Sequence, residues 1–313
     1  MLKLGLISAA TYGRLGTPRT PGSNHGTAFA TTFNGFDDAK VKASWQGTFV
    51  RSQRRLNGAK VVRVWDPQKE WAQKLADICD IEKVCDSPEE ACDGVDAVLL
   101  IDDGSGEQWK YAVHPLKKGV PVFCDKPLAM TAKQAQQIAK FARSTKTKFM
   151  SCSSLRFVPD IVKLRAELPQ IGNVHLATVA CGNELVYYGI HALSMAYAVL
   201  GRGAASAINV GQPGLNVARI RFSDHRDVVM LVGEREWMSA GYQINLYGQK
   251  GWRTLKPELA NLYSYLLEAF LDYVNTGKES VPIEEEVELV AALEAAERSL
   301  KLGREVSLAE VLG

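Results

Sequence analysis

The chain has 313 residues, 46% hydrophobic and 23% charged, a composition that fits a soluble globular protein and argues against a disordered or fibrous class. Its 37 basic and 35 acidic residues leave a net charge of +2, too small to steer nucleic acid or an anionic membrane, so a small molecule is the expected partner. Single hydrophobic cores stop growing near ~250 to 300 residues, so two domains are expected.

The opening run, Met1 to Ser8, is apolar for only a few residues, too short for a signal segment or a membrane span, which places the chain in the cytoplasm as an expectation. Leu2 to Ile7 reads as a first strand. A long stretch, Ala9 to His25, follows, and a helix is expected from about Gly26 with Ser23 or Asn24 as its cap. The segment Lys40 to Lys60, with Arg51, Arg54 and Arg55, is basic and looks inserted. Such a small cluster is usually a solvated face, with an anionic substrate or a neighbouring subunit as the alternative.

Lys60 to Trp65, Ala97 to Ile101 and Val120 to Phe123 read as further strands. Lys69 to Cys79 and Trp109 to Lys118 carry helical apolar spacing, the second closed by Gly119. Thr131 to Ser144 reads as another helix with Thr131 as its cap, and Lys148 to Ser153 as a strand. Strands alternating with helices predict a doubly wound parallel sheet over residues 1–127, completed by the helix and strand of 128–153.

From about Leu155 strands follow one another: Val174 to Cys181, Ala207 to Val210, Val217 to Phe222, Val228 to Val232 and Tyr242 to Tyr247. Helices are expected over His191 to Leu200, Leu259 to Asn275 and Val287 to Leu302. This predicts an α+β domain over 154–313 with an open, mostly antiparallel sheet. The run Glu284-Glu285-Glu286 reads as a helix-dipole complement on a solvated face rather than a site. The six cysteines show no C-x-x-C pair and no histidine at metal-ligand spacing, so free thiols in a reducing compartment and no metal are expected.

Phe123-Cys124-Asp125-Lys126-Pro127 lies at the carboxyl end of an expected strand, where open α/β sheets bind ligands. The proline restricts Lys126 to extended conformations and permits a cis bond. By position alone Lys126 is either a crevice group or a surface lysine in a turn. After the first strand the G-x-G-x-x-G fingerprint of dinucleotide-binding loops is missing. Ser8, Gly13 and Gly16, with Arg14 or Arg19, remain candidates to meet phosphate, and a surface loop over an altered site is the other reading. Asp66 ends the second expected strand, where a carboxylate accepts from ribose hydroxyls and repels a 2′-phosphate, favouring NAD over NADP. Alternatively Asp66-Pro67 simply starts the next helix.

The motif and its surroundings resemble the glucose-fructose oxidoreductase and inositol dehydrogenase superfamily, whose members carry Glu-Lys-Pro where this chain has Asp125-Lys126-Pro127. The resemblance runs through Val95-Asp96-Ala97-Val98, Arg156-Phe157 with Pro159, Ile171-Gly172, Gly189-Ile190-His191, Tyr247-Gly248-Gln249-Lys250-Gly251, Ala269-Phe270-Leu271-Asp272 and Ala295-Ala296-Glu297-Arg298-Ser299. It implies a nicotinamide-dependent oxidoreductase acting on a sugar, cyclitol or polyol. Lys126 would hold the reacting hydroxyl and His191 would act as acid and base.

Tyr187 stands where the family has aspartate, which leaves proton relay or aromatic packing with Tyr188 as its readings. Ser194 replaces a second aspartate, and Asp102-Asp103-Gly104 stands where relatives have Thr-Pro-Asn beside the nicotinamide ribose. The resemblance also implies a homo-oligomer, dimer or tetramer, joined through the open sheet. Two other readings of the degraded motifs are a non-catalytic ligand-binding or assembly protein and a lyase or hydrolase that cycles the cofactor.

Overall fold

The computed structural model describes residues 1–14, 16–102 and 104–313. Contacts divide the chain into two units, one of residues 1–128, 138–151 and 263–283, the other of 129–137, 152–262 and 284–313. The division is therefore interleaved, where the sequence suggested one passage near residue 153.

In the first unit, β1 (Leu2–Ile7) leads to a small hairpin, β2 (Thr11–Tyr12) and β3 (Thr20–Pro21), before α1 (Asn24–Asn34) and α2 (Asp38–Ser44). There follow β4 (Ala59–Trp65), α3 (Lys69–Cys79), β5 (Lys83–Val84), β6 (Ala97–Leu100), α4 (Trp109–Lys117), β7 (Val122–Cys124), α5 (Ala132–Thr145) and β8 (Phe149–Met150). The strands pair in parallel in the order β5-β4-β1-β6-β7-β8. The order reverses between β1 and β6, so the loops after these strands flank the crevice where such sheets bind ligands. β1 and β6 are buried apolar runs, as a strand covered on both faces requires.

The second unit holds α6 (Pro159–Ala166), α7 (Leu168–Ile171), β9 (Val174–Gly182), α8 (Gly189–Leu200), β10 (Ala204–Asn209), β11 (Leu215–Phe222), β12 (Asp227–Gly233), β13 (Gln243–Gly248) and β14 (Gly251–Leu255). The chain then returns to the first unit in α9 (Leu262–Thr276) before α10 (Ile283–Leu302), β15 (Val306–Ser307) and α11 (Leu308–Leu312). The second sheet has the order β14-β13-β9-β12-β11-β10-β15, antiparallel throughout except for the β9–β12 pair. Alternate residues of β11 and β12 are buried, and α8, buried along nearly its whole length, packs on β9, β12 and β13.

Several expectations need correction. Glu285 and Glu286 are buried, at 8% and 0% exposure, so this run is not a solvated face. Glu285 pairs instead with the buried guanidinium of Arg156, which also donates to Ser194 Oγ at 3.3 Å. Arg156 thus finds its carboxylate on α10, with serine at position 194. The basic segment, by contrast, is the solvated face expected, with Arg51 and Arg55 exposed and its charges in surface pairs. Arg51 pairs with Asp38, Arg54 with Glu268, and Arg55 donates to the carbonyl of Phe33. The strand expected over Lys148 to Ser153 shortens to Phe149–Met150, and β14, β15 and the β2–β3 hairpin were not anticipated. All six cysteines are buried thiols. Among the described residues no helix is long and apolar enough to cross a membrane.

Candidate functional site

The segment that replaces the glycine fingerprint is tied down by two carboxylates. Asp66, just beyond β4, accepts from the backbone amides of Ala10 and Thr11 at 2.9 and 3.0 Å, from Thr11 Oγ1 at 2.8 Å and from the amide of Gln68 at 3.0 Å. It is 2% exposed, and burial pushes its carboxyl up, against the lowering effect of these hydrogen bonds. The Gln68 contact caps the turn into α3. The oxygens expected to meet ribose are therefore spent inside the protein, and the helix-start reading of Asp66-Pro67 holds.

The second tie is Asp102, after β6. It accepts from Arg19 Nη1 at 2.6 Å and Ser8 Oγ at 3.0 Å, and from the Ser105 hydroxyl. Arg19 also donates from Nε to Thr11 Oγ1 at 2.8 Å, and from Nη2 to Ser8 Oγ at 3.0 Å and the Thr11 carbonyl at 2.7 Å. A planar guanidinium that serves four acceptors fixes the hairpin over the ends of β1 and β6. Asp103, the other carboxylate expected here, lies outside the described residues. Ser8 and Asp102 both carry positive φ, at 55° and 41°.

One feature of a dinucleotide loop survives. A Cβ on Gly26 would lie 1.8 Å from the Ala9 carbonyl oxygen, so only glycine lets α1 seat against the end of β1. Ser23 Oγ caps this helix by accepting from the Gly26 amide at 3.1 Å. Beside the hairpin, Gly13, Arg14, Gly16, Arg19, Pro67, Asp102, Ser105, Glu107, Lys110 and Tyr111 line a cavity of about 290 Å³. Two of its cations are paired with carboxylates of the same lining, Arg19 with Asp102 and Lys110 with Glu107.

Lys126 is 4% exposed, which removes the surface-lysine reading. Its peptide bond to Pro127 is cis. Gln108 Nε2 donates to the carbonyls of Asp125 at 2.6 Å and Pro127 at 2.5 Å, gripping the motif on both sides of the lysine. Gln108 itself is 1% exposed, and its Oε1 has no protein partner among the described residues. A donor on a bound molecule would satisfy it, since a buried acceptor is rarely left without one.

A pair that sequence reasoning missed adjoins the motif. His25 Nδ1, in the first turn of α1, lies 2.5 Å from Asp125 Oδ2, with His25 9% and Asp125 2% exposed. The Tyr263 ring packs 4.9 Å from the imidazole, centroid to centroid. The only local signal was a histidine directly before the glycine that seats the helix.

The remaining candidates belong to the second unit. His191, on α8, pairs through Nδ1 with Ser153 Oγ at 2.7 Å, a neutral hydroxyl rather than a carboxylate. Tyr188 and Tyr242 flank its ring at 6.2 and 5.5 Å, and Tyr187 packs on Tyr188 at 5.9 Å. Tyr187 thus joins an aromatic cluster. Tyr188 and Tyr242, with Asn183, Arg235 and Ser239, line a cavity of about 310 Å³.

Residues 16–152 match the sequence profile of the oxidoreductase family with an NAD-binding Rossmann fold. The chain is 30% identical over 122 residues to inositol 2-dehydrogenase 4 of Saccharopolyspora erythraea, covering 38% of this chain and 36% of that protein. It is 26% identical over 192 residues to D-glucoside 3-dehydrogenase of Escherichia coli, covering 54% and 53% respectively. The matched stretches thus span between about a third and a half of these relatives. The crystal structure of a probable dehydrogenase from Thermotoga maritima superposes with a TM-score of 0.78 at 19% identity, covering 99% of this chain and 100% of that one, which establishes the shared fold.

Proposed function

We propose that this chain, whose residues 16–152 match the oxidoreductase family with an NAD-binding Rossmann fold, is a member of the glucose-fructose oxidoreductase and inositol dehydrogenase superfamily with the activity of a nicotinamide-dependent oxidoreductase on a sugar, cyclitol or related polyol. The observation that carries this reading is the buried Lys126, held at the carboxyl end of β7 by Gln108 on either side. An ammonium there donates to the oxygen of a substrate hydroxyl and stabilises the negative charge that grows as the O–H bond weakens. When bound, the oxidised dinucleotide accepts hydride from the carbinol carbon.

Arg14 and Lys110 would meet its phosphates, with Ser8, Gly13, Gly16 and Asp102 forming the hairpin end of that site and Arg19 holding the hairpin in place. Within the second unit, His191, held by the Ser153 hydroxyl, is the group able to donate or accept a hydrogen bond, and Tyr187 packs on Tyr188. The expectation of NAD over NADP rested on Asp66, which is engaged with Ala10, Thr11 and Gln68, so both cofactors belong in the test.

Calorimetric titration with NADH and NADPH should give micromolar binding to at least one. A panel of myo-inositol, D-glucose and other polyols should then reduce the matching oxidised cofactor, with Lys126→Ala lowering kcat at least 100-fold. Absence of binding by either dinucleotide would overturn the proposal. It would favour a non-catalytic ligand-binding or assembly protein, a reading supported by the amides of Ala10 and Thr11 being given to Asp66 rather than left for phosphate.

A further inference from the structure

We propose that the second-unit cavity lined by Tyr188, Arg235 and Tyr242 binds an acidic sugar, whose carboxylate lies on the Arg235 guanidinium and whose ring lies against the two tyrosines. This names a substrate class for the oxidoreductase reading above. It rests on that reading only in calling the ligand a substrate, because binding is measurable without turnover.

The cavity forms where β9 ends. The amide of Gly182 donates to the Ala240 carbonyl at 3.0 Å and that of Asn183 to the Gly233 carbonyl at 2.6 Å, so the segment between β12 and β13 is tied across the strand end and carries Arg235, Ser239 and Tyr242 with it. Asn183 takes a left-handed conformation, φ 82°, which asparagine tolerates better than most residues. Its Oδ1 accepts from the amide of Glu184 at 3.1 Å, which leaves the two hydrogens on Nδ2 as donors.

Three properties of the lining point to an anionic group on a small ring. The first is charge. Arg235 is the only charged side chain among the described lining residues, which include no aspartate or glutamate. Arg156, Arg221 and Arg226 of the same unit each meet a carboxylate, whereas among the described residues no ion pair or hydrogen bond engages the guanidinium of Arg235. Glu234 and Glu236 flank it in sequence but are exposed and lie outside the lining. An unengaged guanidinium offers paired N–H donors that match the two oxygens of a carboxylate.

The second property is the wall. Tyr188 and Tyr242 supply rings on which the C–H face of a sugar packs. Burial holds the Tyr242 phenol well above its ordinary range, so it stays protonated and, with Asn183 Nδ2 and Ser239 Oγ, can donate to sugar oxygens. The third is size. At about 310 Å³ the cavity stands at the lower end of ligand pockets, which suits one monosaccharide rather than a nucleotide or an oligosaccharide. One guanidinium also balances a carboxylate, whereas the second charge of a phosphate would have no partner there.

Isothermal calorimetry on the full chain tests this with D-glucuronate, D-galacturonate and D-gluconate against D-glucose, myo-inositol and D-glucose 6-phosphate. At least one of the acids should bind about tenfold or more tightly than the neutral sugars, as a charge-assisted pair requires, and added salt should erode that preference. Arg235→Gln should bring the acid to the affinity of its neutral counterpart, and Arg235→Lys should restore only part of the preference. Tyr242→Ala should weaken acid and neutral sugar alike.

Arg235 is exposed, so its variants should keep the wild-type circular dichroism and melting temperature, and they carry the test if Tyr242→Ala does not fold. Equal affinity for acid and neutral sugars, an acid preference that survives in Arg235→Gln, a preference for the phosphate, or no binding of any acid up to millimolar concentration overturns the assignment. Where dinucleotide binding and polyol oxidation persist, such a result leaves the oxidoreductase reading standing. Acid binding that is lost in Arg235→Gln, in a chain that binds neither NADH nor NADPH, supports this site and removes that reading instead.

Discussion

The guanidinium of Arg19 lies 2.6 Å from the carboxylate of Asp102, and the pair joins the hairpin after β1 to the loop after β6 across the point where strand order reverses. Two residues 83 apart in sequence thereby do the closing that a glycine-rich turn would do locally. Arg19→Ala would leave Asp102, with a side chain 6% exposed, without its counter-ion, a change of about 3 kcal/mol for a largely buried pair. Arg19→Lys should recover little, because an ammonium cannot serve Ser8, Thr11 and Asp102 in one plane. Urea denaturation followed by tryptophan fluorescence measures both. Equal stability of wild type and Arg19→Ala would show that the hairpin is held by something else.

Asp66→Asn separates a structural from a ligand role for the same residue. An amide side chain has one acceptor oxygen and turns a donor toward the amides of Ala10 and Thr11 or that of Gln68, so at least one buried amide loses its acceptor. The expected loss is about 2 kcal/mol of stability. Dinucleotide affinity should change only as far as the hairpin loosens. An unchanged denaturation midpoint with a large loss of NADH binding would return Asp66 to the ribose.

The regular elements were legible because they obey local rules. β1 and α3 keep their expected bounds, Leu2–Ile7 and Lys69–Cys79, since a buried strand and an amphipathic helix write their periods into consecutive residues. The motif lysine and its carboxylate neighbour were legible for the same reason. The hairpin, the His25–Asp125 pair and the burial of Glu285 were not. Each depends on partners far apart in the chain, His25 and Asp125 by 100 positions, and a charged residue gives no sign of whether its counter-ion is water or a buried guanidinium.

Glu286 is the clearest case of a hidden charge. It is fully buried on α10, neither side-chain oxygen has a hydrogen-bond partner among the described residues, and burial pushes its carboxyl up to about 8, with Arg156 opposing and Glu285 reinforcing the rise. The folded chain therefore holds this proton up to about pH 8, whereas the unfolded chain releases it near the ordinary value of 4.5. Because the native state binds the extra proton, the contribution is fully present below the unfolded value and is lost as pH rises toward 8. Denaturation at pH 5, 6.5 and 8 should show wild-type stability falling across that window. Glu286→Gln, neutral at every pH, should be flatter and the more stable of the two at pH 8. Parallel curves for the two proteins would show that the carboxyl is ionised in the fold.

The second sheet carries the remaining prediction, the homo-oligomer. On β13, Ile244 and Leu246 face inward, so alternation turns Tyr247 to the other face, where it stands opposite Leu176 of β9 and Trp252 of β14. These three form a cross-strand row exposed by 40%, 45% and 64% for Leu176, Tyr247 and Trp252, with Leu231 of β12 exposed by 37%. A contiguous apolar row on an open sheet is favourable only when covered, and a second copy of the same sheet would cover it symmetrically. Light scattering at micromolar concentration should report a dimer or tetramer. The double variant Tyr247→Arg with Trp252→Glu should be monomeric, with far-ultraviolet circular dichroism unchanged because neither side chain enters the core. A wild-type monomer at that concentration, or an assembly indifferent to both substitutions, would place the contact elsewhere or remove it.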